Sequence, residues 1–448
     1  MKPGKHPSYD PTSARSIIEY AKRLEGHTLR EMSDAPELQD PHKRKGAFGN
    51  AVEEYYFKYA LNSDSAPDFA EAGLELKATP LKRTKKGELV AKERLVLTMI
   101  DYMTVPAETF ESSHLLDKAG DILFIFYIFE PAANPVDYKV ELAERWHIPT
   151  EDLPQLKKDW ETVVNKIRAG HAEDISGSDT LYLEACTKAK DGTVRRKQPF
   201  SDVPAKPRAW ALKASYMTGV ERQLLNKSQV IRRETGEEQL SLLALIRKRF
   251  EPYFGMTQQE LMSAFGISNS KDACARITKR ILGVNENDEV SELEKANAKP
   301  KTLRLKASGR PKEALSFPAF DYFELEKTDF KHSDFSVQLD QLYLFVIYRE
   351  QDDGKYALAH ICFWRMPERD LAEAKRCYDQ MRQNVHEGRA EDSVKASENR
   401  CCHVRPHGRD RRDTKPQPHG TPVVKKCFWL NQSYLQGEIA RALENQAN

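Results

Sequence analysis

Residues 68–77 read DFAEAGLELK, and this stretch carries the sharpest local signal in the sequence. After Gly73, apolar and polar residues alternate, which predicts a β-strand over residues 74–79 with Glu75 and Lys77 on one face. Asp68, placed before the Gly73 turn, can bring a second carboxylate close to Glu75. Two adjacent carboxylates repel each other unless a cation neutralises them, and hard divalent ions take oxygen ligands. The pattern therefore predicts a Mg²⁺ site with Asp68 and Glu75 as its ligands.

Lys77 and Glu53 extend this predicted site. Lys77 can orient a metal-bound water, or stabilise the negative charge that develops on phosphorus, during hydrolysis of a phosphodiester. Glu53 follows Gly49 on a predicted helix with an apolar stripe, and it could supply a third carboxylate. The alternative is a surface strand that carries a Glu-Lys pair flanked by unrelated acids, because such spacings also occur by chance. The spacing alone leaves both interpretations open.

The segments around this stretch predict an α/β domain. Residues 122–129 read ILFIFYIF, which is typical of a fully buried strand, and residues 94–99 predict a further strand. Apolar residues recur with helical spacing over residues 13–24 and 156–167. Helices combined with a short central sheet indicate the α/β class.

The composition of the chain argues against a membrane-spanning, exported or disulfide-bonded protein. The chain has 448 residues, enough for two or three domains, and 70 basic against 68 acidic residues give a net charge of +2. No apolar run reaches the length of a membrane span, and the N-terminal MKPGKHPSYD lacks the apolar core of a signal peptide. The seven cysteines show no C-x-x-C spacing, so a disulfide framework is not expected. We therefore expect a reduced, cytoplasmic protein without a membrane partner.

Two other chemistries are disfavoured by the sequence. Cys401, Cys402, His403 and His407 could suggest a zinc site, but no second ligand pair follows at finger-like spacing. No phosphate-binding loop of the G-x-x-x-x-G-K-[ST] type occurs, which argues against ATP-driven movement along a nucleic acid. A zinc site at these cysteines and histidines is therefore not expected, nor is ATP-driven movement.

Basic residues are concentrated in two runs. Residues 188–213 and residues 400–426 each contain eight basic and two acidic residues, although the charge of the whole chain is nearly balanced. One such run is usually a solvated face, but two matching runs favour contact with a nucleic-acid backbone. The residues predicted to contact DNA are Lys188, Arg195, Arg196, Lys213, Arg405 and Arg409.

The two basic runs end in similar short sequences, which indicates that the chain contains two copies of one domain. Residues 205–217 read AKPRAWALKASYM and residues 424–435 read VKKCFWLNQSYL, with an offset of 218 between matching positions. Upstream, Cys186 matches Cys402 at an offset of 216. A duplicated domain is the interpretation we favour, and chance matching of short words is the alternative.

The polar stretch of residues 226–239 has no helical or strand periodicity, and it marks the seam between the two copies. A second polar stretch, residues 285–302, is predicted as a loop inside the second copy. The predicted domains are therefore residues 1–230, which contain the acidic site, and residues 231–448.

Six segments resemble the PD-(D/E)xK nucleases. They read KGAFGNAVE at residues 45–53, DFAEAGLELKATP at 68–80, FESSH at 110–114, KKDWE at 157–161, AWALKASYM at 209–217 and CHVRPH at 402–407. Within that superfamily, roughly residues 10–220 are similar to the mismatch-repair endonuclease MutH. The whole chain is similar to the MutH-like type II restriction endonucleases that cut GATC. The resemblance implies two tandem α/β domains of the MutH type that bind double-stranded DNA.

The resemblance also implies roles for individual residues. It assigns Asp68 and Glu75 as metal ligands, Lys77 as the catalytic lysine, Glu53 as an accessory acid and Lys118 as a basic residue near the scissile phosphate. One departure concerns base recognition, because Cys186 stands where the repair nickase has an arginine. The individual base contacts therefore stay unassigned.

The repeat predicts that the second half has lost the acidic site. The counterparts of Glu53, Asp68 and Glu75 in the alignment of short words are Lys279, Asn297 and Arg304, the last at an offset of 229. Cationic replacements repel a metal ion and attract phosphate. The second domain is therefore expected to act as a DNA-binding effector copy, and a wrong alignment is the alternative.

The sequence thus favours a Mg²⁺-dependent type II restriction endonuclease that makes double-strand cuts, at GATC by resemblance. A repair-type enzyme that nicks one strand is the first alternative, and a second full domain argues against it. A non-catalytic DNA-binding protein is the second alternative, and the combination of Glu53, Asp68, Glu75 and Lys77 argues against it. The sequence leaves open whether a chain that is monomeric when free dimerises on DNA, and whether one complex holds two GATC sites.

Overall fold

The computed structural model describes residues 8–37, 46–59 and 67–447. Two compact units are formed: Met1–Leu242 with Asp288–Ala296 make the first unit, and Leu243–Asn287 with Asn297–Asn448 make the second. The chain therefore leaves the second unit after Asn287, contributes a short segment to the first unit, and returns at Asn297. The domain boundary predicted after residue 230 does not include this return.

The α-helices are numbered in chain order over the described residues. They are α1 Ala14–Ala21, α2 Leu29–Met32, α3 Ala47–Ala51, α4 His114–Lys118, α5 Leu153–Arg168, α6 Ala214–Leu224, α7 Leu242–Phe250, α8 Gln258–Phe265, α9 Ala273–Ile281, α10 Ser291–Lys295, α11 Tyr322–Lys327, α12 Asp334–Asp340, α13 Glu368–His386 and α14 Gln432–Ala447. The helices predicted over residues 13–24 and 156–167 are confirmed by α1, which continues as a 3₁₀ turn, and by α5. Among the described helices, none has the length and apolar character that a membrane span requires.

The β-strands include those predicted over residues 74–79, 94–99 and 122–129. They are β1 Leu74–Arg83, β2 Leu89–Ala91, β3 Leu95–Met99, β4 Asp121–Ile128, β5 Val140–Trp146, β6 Leu183–Thr187, β7 Arg196–Gln198, β8 Ser201–Ala205, β9 Arg208–Leu212, β10 Ser228–Gln229, β11 Glu289–Val290, β12 Ala298–Leu305, β13 Leu315–Ser316, β14 Leu342–Glu350, β15 Tyr356–Trp364, β16 Cys402–Pro406, β17 Thr414–Lys415, β18 Val423–Val424 and β19 Lys426–Leu430. The loop predicted over residues 285–302 is wrong, because β11, α10 and the start of β12 lie there.

The first unit is built on a four-stranded sheet in the order β2-β1-β4-β5. β1 and β4 are parallel, and their register pairs Glu75 with Ile122 and Lys77 with Phe124. Residues 122–126 are buried, which explains why β4 is an uninterrupted apolar run. A second sheet has the order β3-β9-β6. The predicted α/β class is confirmed by this mixture of helices and sheets.

The second unit repeats these strand pairings. Its larger sheet has the order β12-β14-β15, with β12 parallel to β14 and β14 antiparallel to β15, as in β1, β4 and β5. Its other sheet has the order β13-β19-β16, which matches β3-β9-β6. Trp146 pairs with Ile122 in the first unit, and Trp364 pairs with Tyr343 in the second. These pairs relate the two sheets residue by residue.

The strand register corrects the alignment of the two halves. Through the pairs just described, Lys299 on β12 occupies the place of Glu75 on β1, and Lys301 occupies the place of Lys77. The alignment of short words placed Arg304 opposite Glu75. This alignment was wrong, because a few similar residues do not determine a strand register, whereas strand pairing does.

The residue before each strand supports the corrected register. Gly73 with φ 64° precedes β1, and Asn297 with φ 50° precedes β12. Glycine and asparagine are the residues that most readily adopt this left-handed backbone. Asn297 therefore matches Gly73 rather than Asp68. By the same count, Glu292 takes the place of Asp68, and Glu292 lies in the segment Asp288–Ala296 of the first unit.

The smaller sheets confirm one predicted match and correct another. Leu212 on β9 and Leu430 on β19 occupy the same place, as the offset of 218 predicted. Leu183 and Cys402 pair with these two leucines, respectively. Three positions farther along β6 and β16, Cys186 is therefore matched by Arg405, and its predicted match to Cys402 was wrong.

Candidate active site

The predicted acidic site lies on β1, where alternate side chains share one face of the sheet. Lys77 Nζ lies 2.5 Å from Glu75 Oε1. The side chains of Glu75 and Lys77 are 24% and 34% exposed, so this pair lines a partly open surface. Leu74 and Leu76 are buried on the other face, as the alternation predicts.

Asp68 reaches the same strand through a tight turn. Ala70–Ala72 form one 3₁₀ turn, and Gly73 adopts positive φ before β1 begins. Asp68 Oδ2 then accepts a hydrogen bond of 2.8 Å from the backbone N–H of Leu76. This bond holds the Asp68 carboxylate beside the strand position that follows Glu75.

Glu53 lies in a π-helical turn, Val52–Phe57, that extends α3. Such turns are rare, and they occur frequently at functional sites. Gly49 of α3 lies against β1, since an added Cβ would be 3.5 Å from the Ala78 Cβ. The small residue lets the helix approach the strand, and the Glu53 carboxyl comes within electrostatic reach of Asp68.

The carboxyls of the site perturb one another. Burial raises the pKa of Glu53 to about 7, and the negative charge of Asp68 adds to this effect while Lys77 opposes it. Burial also raises the pKa of Asp68, against the hydrogen bond from Leu76, and the charge of Glu75 raises it further. Carboxyls that resist joint ionisation are stabilised by a cation, and such groups are frequent at functional sites.

Tyr59 completes this cluster. Its hydroxyl is buried and makes no hydrogen bond of good geometry with any residue in the described ranges 8–37, 46–59 and 67–447. Burial, together with the charges of Asp68 and Glu53, raises the pKa of Tyr59. The hydroxyl therefore stays protonated and can donate a hydrogen bond to one of these carboxylates. Nothing in the sequence indicates this role, because Tyr59 belongs to an apolar helical stripe.

The donor set fits a hard divalent cation. Glu53, Asp68 and Glu75 provide carboxylate oxygens, which Mg²⁺ and similar ions prefer over sulfur and imidazole nitrogen. A cation bound there would offset the mutual repulsion that raises the pKa of Glu53 and Asp68. The residues are therefore suited to metal-dependent hydrolysis.

Two predicted features of the site are described only in part. Lys118 is the last residue of α4, but its side chain is not among those described. Lys45, the first residue of the KGAFGNAVE segment, is also outside them. Ser113 of the FESSH segment is buried at the start of α4, and its hydroxyl donates to the carbonyl of Phe110 at 2.7 Å.

Three predicted DNA contacts of the first unit are exposed. Lys188, Arg195 and Arg196 lie between β6 and the end of β7, and Arg195 Nη1 donates to the carbonyl of Gly192 at 2.8 Å. Phe200, in the turn between β7 and β8, is 57% exposed. Cations beside an exposed ring form a surface that can contact a DNA backbone.

Lys213 and Arg208 belong to the same basic run but are less exposed than Lys188, Arg195 and Arg196. Lys213 Nζ donates to the carbonyl oxygens of Gly177 and Thr180. Arg208 is buried, and its guanidinium donates to the carbonyl of Ala185 at 2.6 Å. Both cations hold backbone segments together, so this run presents fewer charges to solvent than its sequence indicates.

The second basic run is divided in the same way. Arg405 on β16 is exposed, and its guanidinium lies 3.8 Å from the centre of the Trp429 ring, as in a cation–π contact. Arg405 and Arg310 line a surface hollow of the second unit. Arg409 is exposed as well. Lys426, in the place of Arg208, is buried and donates to two backbone carbonyls at 2.8 and 2.6 Å.

The chain is similar to known nucleases. The family model of the DNA mismatch repair enzyme MutH matches residues 57–159. The type II restriction enzyme Sau3AI of Staphylococcus aureus is 32% identical over 93% of this chain and 92% of its own length. The mismatch repair protein MutH of Vibrio cholerae is 27% identical over 41% of this chain and 81% of its own length. MutH of Serratia proteamaculans is 26% identical over 46% of this chain and 91% of its own length.

The segment matched by the MutH model contains Asp68, Glu75 and Lys77, so the acidic site lies in the part shared with MutH. The similarity to the restriction enzyme extends over nearly the whole chain, across the residues of both units. Nucleases of this kind generally depend on a divalent metal ion. The chain belongs to the MutH-related family of type II restriction endonucleases, which are site-specific deoxyribonucleases.

Proposed function

We propose that this endonuclease cuts both strands of DNA at GATC by Mg²⁺-dependent hydrolysis, with its active site in the first unit. The observation that carries the proposal is the convergence of Glu53, Asp68, Glu75 and Lys77 at β1 and the adjoining helix. The choice of GATC rests on the resemblance to restriction endonucleases that cut this sequence.

The side chains divide the chemistry among them. Asp68 and Glu75 would hold the metal ion, because their carboxyls lie together at the strand. Mg²⁺ bound there would supply a Lewis acid and a water of lowered pKa. Lys77 would stabilise negative charge on the attacking oxygen or on phosphorus. Glu53, whose pKa is about 7, can take up or release a proton near neutral pH.

DNA binding in the first unit is assigned to the exposed cations. Lys188, Arg195 and Arg196 are proposed to contact backbone phosphates, which position the enzyme without reading sequence. Lys118, at the end of α4, is proposed to lie near the scissile phosphate. Cys186 is buried, so we expect other residues to read the bases.

The second unit is proposed to be a MutH-like copy that binds DNA without cutting it. Lys299 stands in the place of Glu75, so a metal ligand is replaced by a positive charge. Arg405 and Arg409 are exposed and are proposed to contact a second GATC site. A site bound there would change the affinity of the first unit if it favours one arrangement of the enzyme, and the coupling would be reciprocal.

Cleavage of a plasmid that carries GATC tests the active site. Asp68→Ala, Glu75→Ala and Lys77→Ala should each abolish cleavage in Mg²⁺, whereas binding of the same DNA in a gel-shift assay should remain. Glu71→Ala is the matched control, because Glu71 is exposed in the turn between the two metal ligands. Full cleavage by the Glu75→Ala protein would overturn the assignment.

The effector role is tested by plasmids with one and two GATC sites. Two-site plasmids should be cut faster, and replacement of Arg405 and Arg409 by alanine should remove this advantage without loss of one-site cleavage. Sedimentation of the enzyme with and without DNA would show whether chains pair on the substrate. Equal rates on both plasmids, unchanged by the replacements, would show that the second unit is only a scaffold.

A nicking enzyme of the MutH type is the second possible function. It is favoured by the match of MutH to less than half of this chain, in the part that contains the acidic site. Nicking would convert supercoiled plasmid to open circles, whereas restriction would give linear DNA. Sequencing the ends from methylated and unmethylated plasmids would identify the recognition sequence and the position of the cut.

A further inference from the structure

A second group of ligand-type side chains lies in the second unit. Glu326 near the end of α11, His386 at the end of α13 and His419 in the turn between β17 and β18 bring their side chains together. Glu326 Oε1 lies 3.0 Å from His386 Nδ1 and 2.5 Å from His419 Nε2. The two imidazole rings meet edge to face with centroids 5.9 Å apart. Three elements that are distant in sequence therefore converge at one point.

Other contacts fix the positions of these elements. Arg382 Nε on α13 donates to the backbone carbonyl of Glu326 at 2.9 Å, which ties α11 to α13. Gly388 has φ 72° beyond the end of α13, and a Cβ there would lie 3.4 Å from the carbonyl oxygen of His419. The buried Gln417 side chain closes the turn by donating to a backbone carbonyl at 3.0 Å. The backbone therefore presents the three side chains to one another.

We propose that Glu326, His386 and His419 form a binding site for a divalent transition-metal ion of the Zn²⁺ type. Two imidazole nitrogens and one carboxylate oxygen are the ligand set of open zinc sites, in which water takes the fourth position. Their ligand atoms lie within 4.8 Å of one another. Ligands of a tetrahedral zinc ion are about 3.3 Å apart, so the Glu326 oxygen would move away from each imidazole nitrogen by less than about 1 Å to admit the ion.

Access to this site is open. The side chains of His386 and His419 are 68% and 44% exposed, whereas that of Glu326 is 17% exposed. The carboxylate thus forms the floor of the site, and the two imidazoles form its sides. This exposure provides a path for the ion and room for a bound water.

A purely ionic cluster is the competing explanation. One carboxylate oxygen can accept hydrogen bonds from two imidazoles, and these bonds hold the pKa of Glu326 below its usual range. The adjoining hollow carries charges of both signs, including Lys331, Asp379 and Arg382. These charges neither attract nor repel a cation strongly as a group. The two explanations differ in one measurable respect, because only a metal site needs all three side chains at once.

The proposed site would select a different ion from the acidic site on β1. Mg²⁺ prefers oxygen ligands in octahedral geometry, whereas imidazole nitrogen favours Zn²⁺ and its neighbours. A bound ion would join α11 and α13 to the turn around His419, which lies in the basic run of residues 400–426. We expect the ion to stabilise that turn by mass action and to take no part in cleavage.

Calorimetric titration of the full-length protein with Zn²⁺, in excess Mg²⁺, tests the proposal. Affinity for one Zn²⁺ should fall at least about tenfold in His386→Ala, in His419→Ala and in Glu326→Gln. His332→Ala and His171→Ala are matched controls, because each removes an exposed histidine that lies near carboxylates elsewhere. Both control proteins should bind Zn²⁺ as the unaltered protein does.

Co²⁺ provides a second measurement. The unaltered protein with Co²⁺ should show the visible absorption bands of a tetrahedral site, and these bands should be lost in His386→Ala. Thermal unfolding without added metal should be the same for all proteins, which separates loss of the site from loss of the fold. Equal Zn²⁺ affinity and stoichiometry in the unaltered protein and in all three variants would overturn the proposal.

Discussion

β1 of the first unit and β12 of the second have matching places beside a parallel strand but carry different charges. Each strand lies parallel to an apolar strand, and each follows a residue with positive φ. Glu75 and Lys77 on β1 are matched by Lys299 and Lys301 on β12. β12 is held in its sheet by pairing with β14 and by the buried Ala298, Leu303 and Leu305, so its polar positions are free to change. Loss of the acidic site therefore does not require a different fold.

The turn before each strand shows a second difference. Asp68 lies in the turn before β1 and accepts a hydrogen bond from the strand itself. Its counterpart Glu292 lies in the first unit, where the carboxylate accepts from the backbone N–H of Ile231 at 2.9 and 3.1 Å. The counterpart of Glu75 is therefore a lysine, and the counterpart of Asp68 is a carboxylate that is engaged within the first unit. A single substitution could not restore the site.

Glu75→Lys places on β1 the lysine that β12 has at the matching position. It is the substitution for which we predict the largest loss of cleavage. A second ammonium beside Lys77 would repel the metal ion, so cleavage should fall more than about a thousandfold. Circular dichroism should show an unchanged fold, because β12 contains lysine at this place. Lys299→Glu, the reverse change, should create no cleavage by the second unit. Cleavage within tenfold of the unaltered enzyme by Glu75→Lys would contradict the comparison.

A Tyr-Asp pair also occurs in both units, buried in the first and partly buried in the second. Tyr216 donates to Asp152 Oδ2 at 2.8 Å in the first unit, and Tyr434 donates to Asp370 Oδ2 at 3.0 Å in the second. Both pairs join the start of a long helix, α5 or α13, to the last helix of the corresponding sheet arrangement, α6 or α14. The two pairs differ in the cation that contacts the aspartate.

The cation of the first unit is buried, and its removal is predicted to have a large effect on stability. Lys295 Nζ lies 2.6 Å from Asp152 with neither side chain exposed, whereas Arg400, which pairs with Asp370 at 2.5 Å, is 61% exposed. Lys295→Met should leave a buried carboxylate unpaired and cost about 3–5 kcal/mol. Arg400→Ala should cost much less than Lys295→Met, because this cation is exposed to solvent. Denaturant unfolding measures both, and equal losses would contradict the prediction.

Gly219→Ala provides an independent check of the Lys295 environment. A Cβ on Gly219 would lie 2.5 Å from Lys295 Cγ and 3.1 Å from its backbone nitrogen. The close packing of α10 on α6 therefore requires a residue without a side chain at this position. We expect this substitution to lower the denaturation midpoint as Lys295→Met does, although it removes no charge.

Local patterns in the sequence were sufficient to predict β1, β4 and α5, because alternation, an apolar run and helical spacing each lie within one element. The acidic site was predictable for the same reason, since Asp68, Glu75 and Lys77 are close in sequence. The residue-by-residue alignment of the two copies could not be predicted from the sequence, because it depends on pairing between strands. Residues 285–302 were predicted as a loop because the whole stretch is polar, and the buried pairing of its Lys295 with the distant Asp152 cannot be seen in the sequence.

Glu53 and Glu54 are adjacent in sequence but differ in environment, and this difference predicts a pH dependence of metal binding. Glu53 is partly buried with a pKa of about 7, whereas Glu54 is exposed. Below pH 7 the Glu53 carboxyl is protonated, so protons compete with the metal ion and the affinity for Mg²⁺ should fall. Calorimetric titration with Mg²⁺ at pH 6, 7 and 8 measures this trend.

The matched variants separate the two acids. Glu53→Gln should bind Mg²⁺ with much less dependence on pH, because the group that titrates is gone. Glu54→Gln should retain the dependence of the unaltered enzyme. A pH dependence that survives in Glu53→Gln would show that another group of the site, such as Asp68, controls the protonation.

The smallest predicted effect distinguishes exposed from buried cations in the first basic run. Arg195 and Arg196 are exposed, whereas Arg208 is buried and Lys213 is partly buried, each with its cationic group held by backbone carbonyls. Each phosphate contact contributes about 0.9 to the slope of log affinity against log salt concentration. Replacing Arg195 and Arg196 by alanine should therefore weaken DNA binding and reduce that slope by up to about 1.8.

Lys213→Met should lower the denaturation midpoint and leave the slope unchanged, since its ammonium is already engaged with the protein. A slope that falls equally in both variants would mean that Lys213 leaves its carbonyl partners when DNA binds.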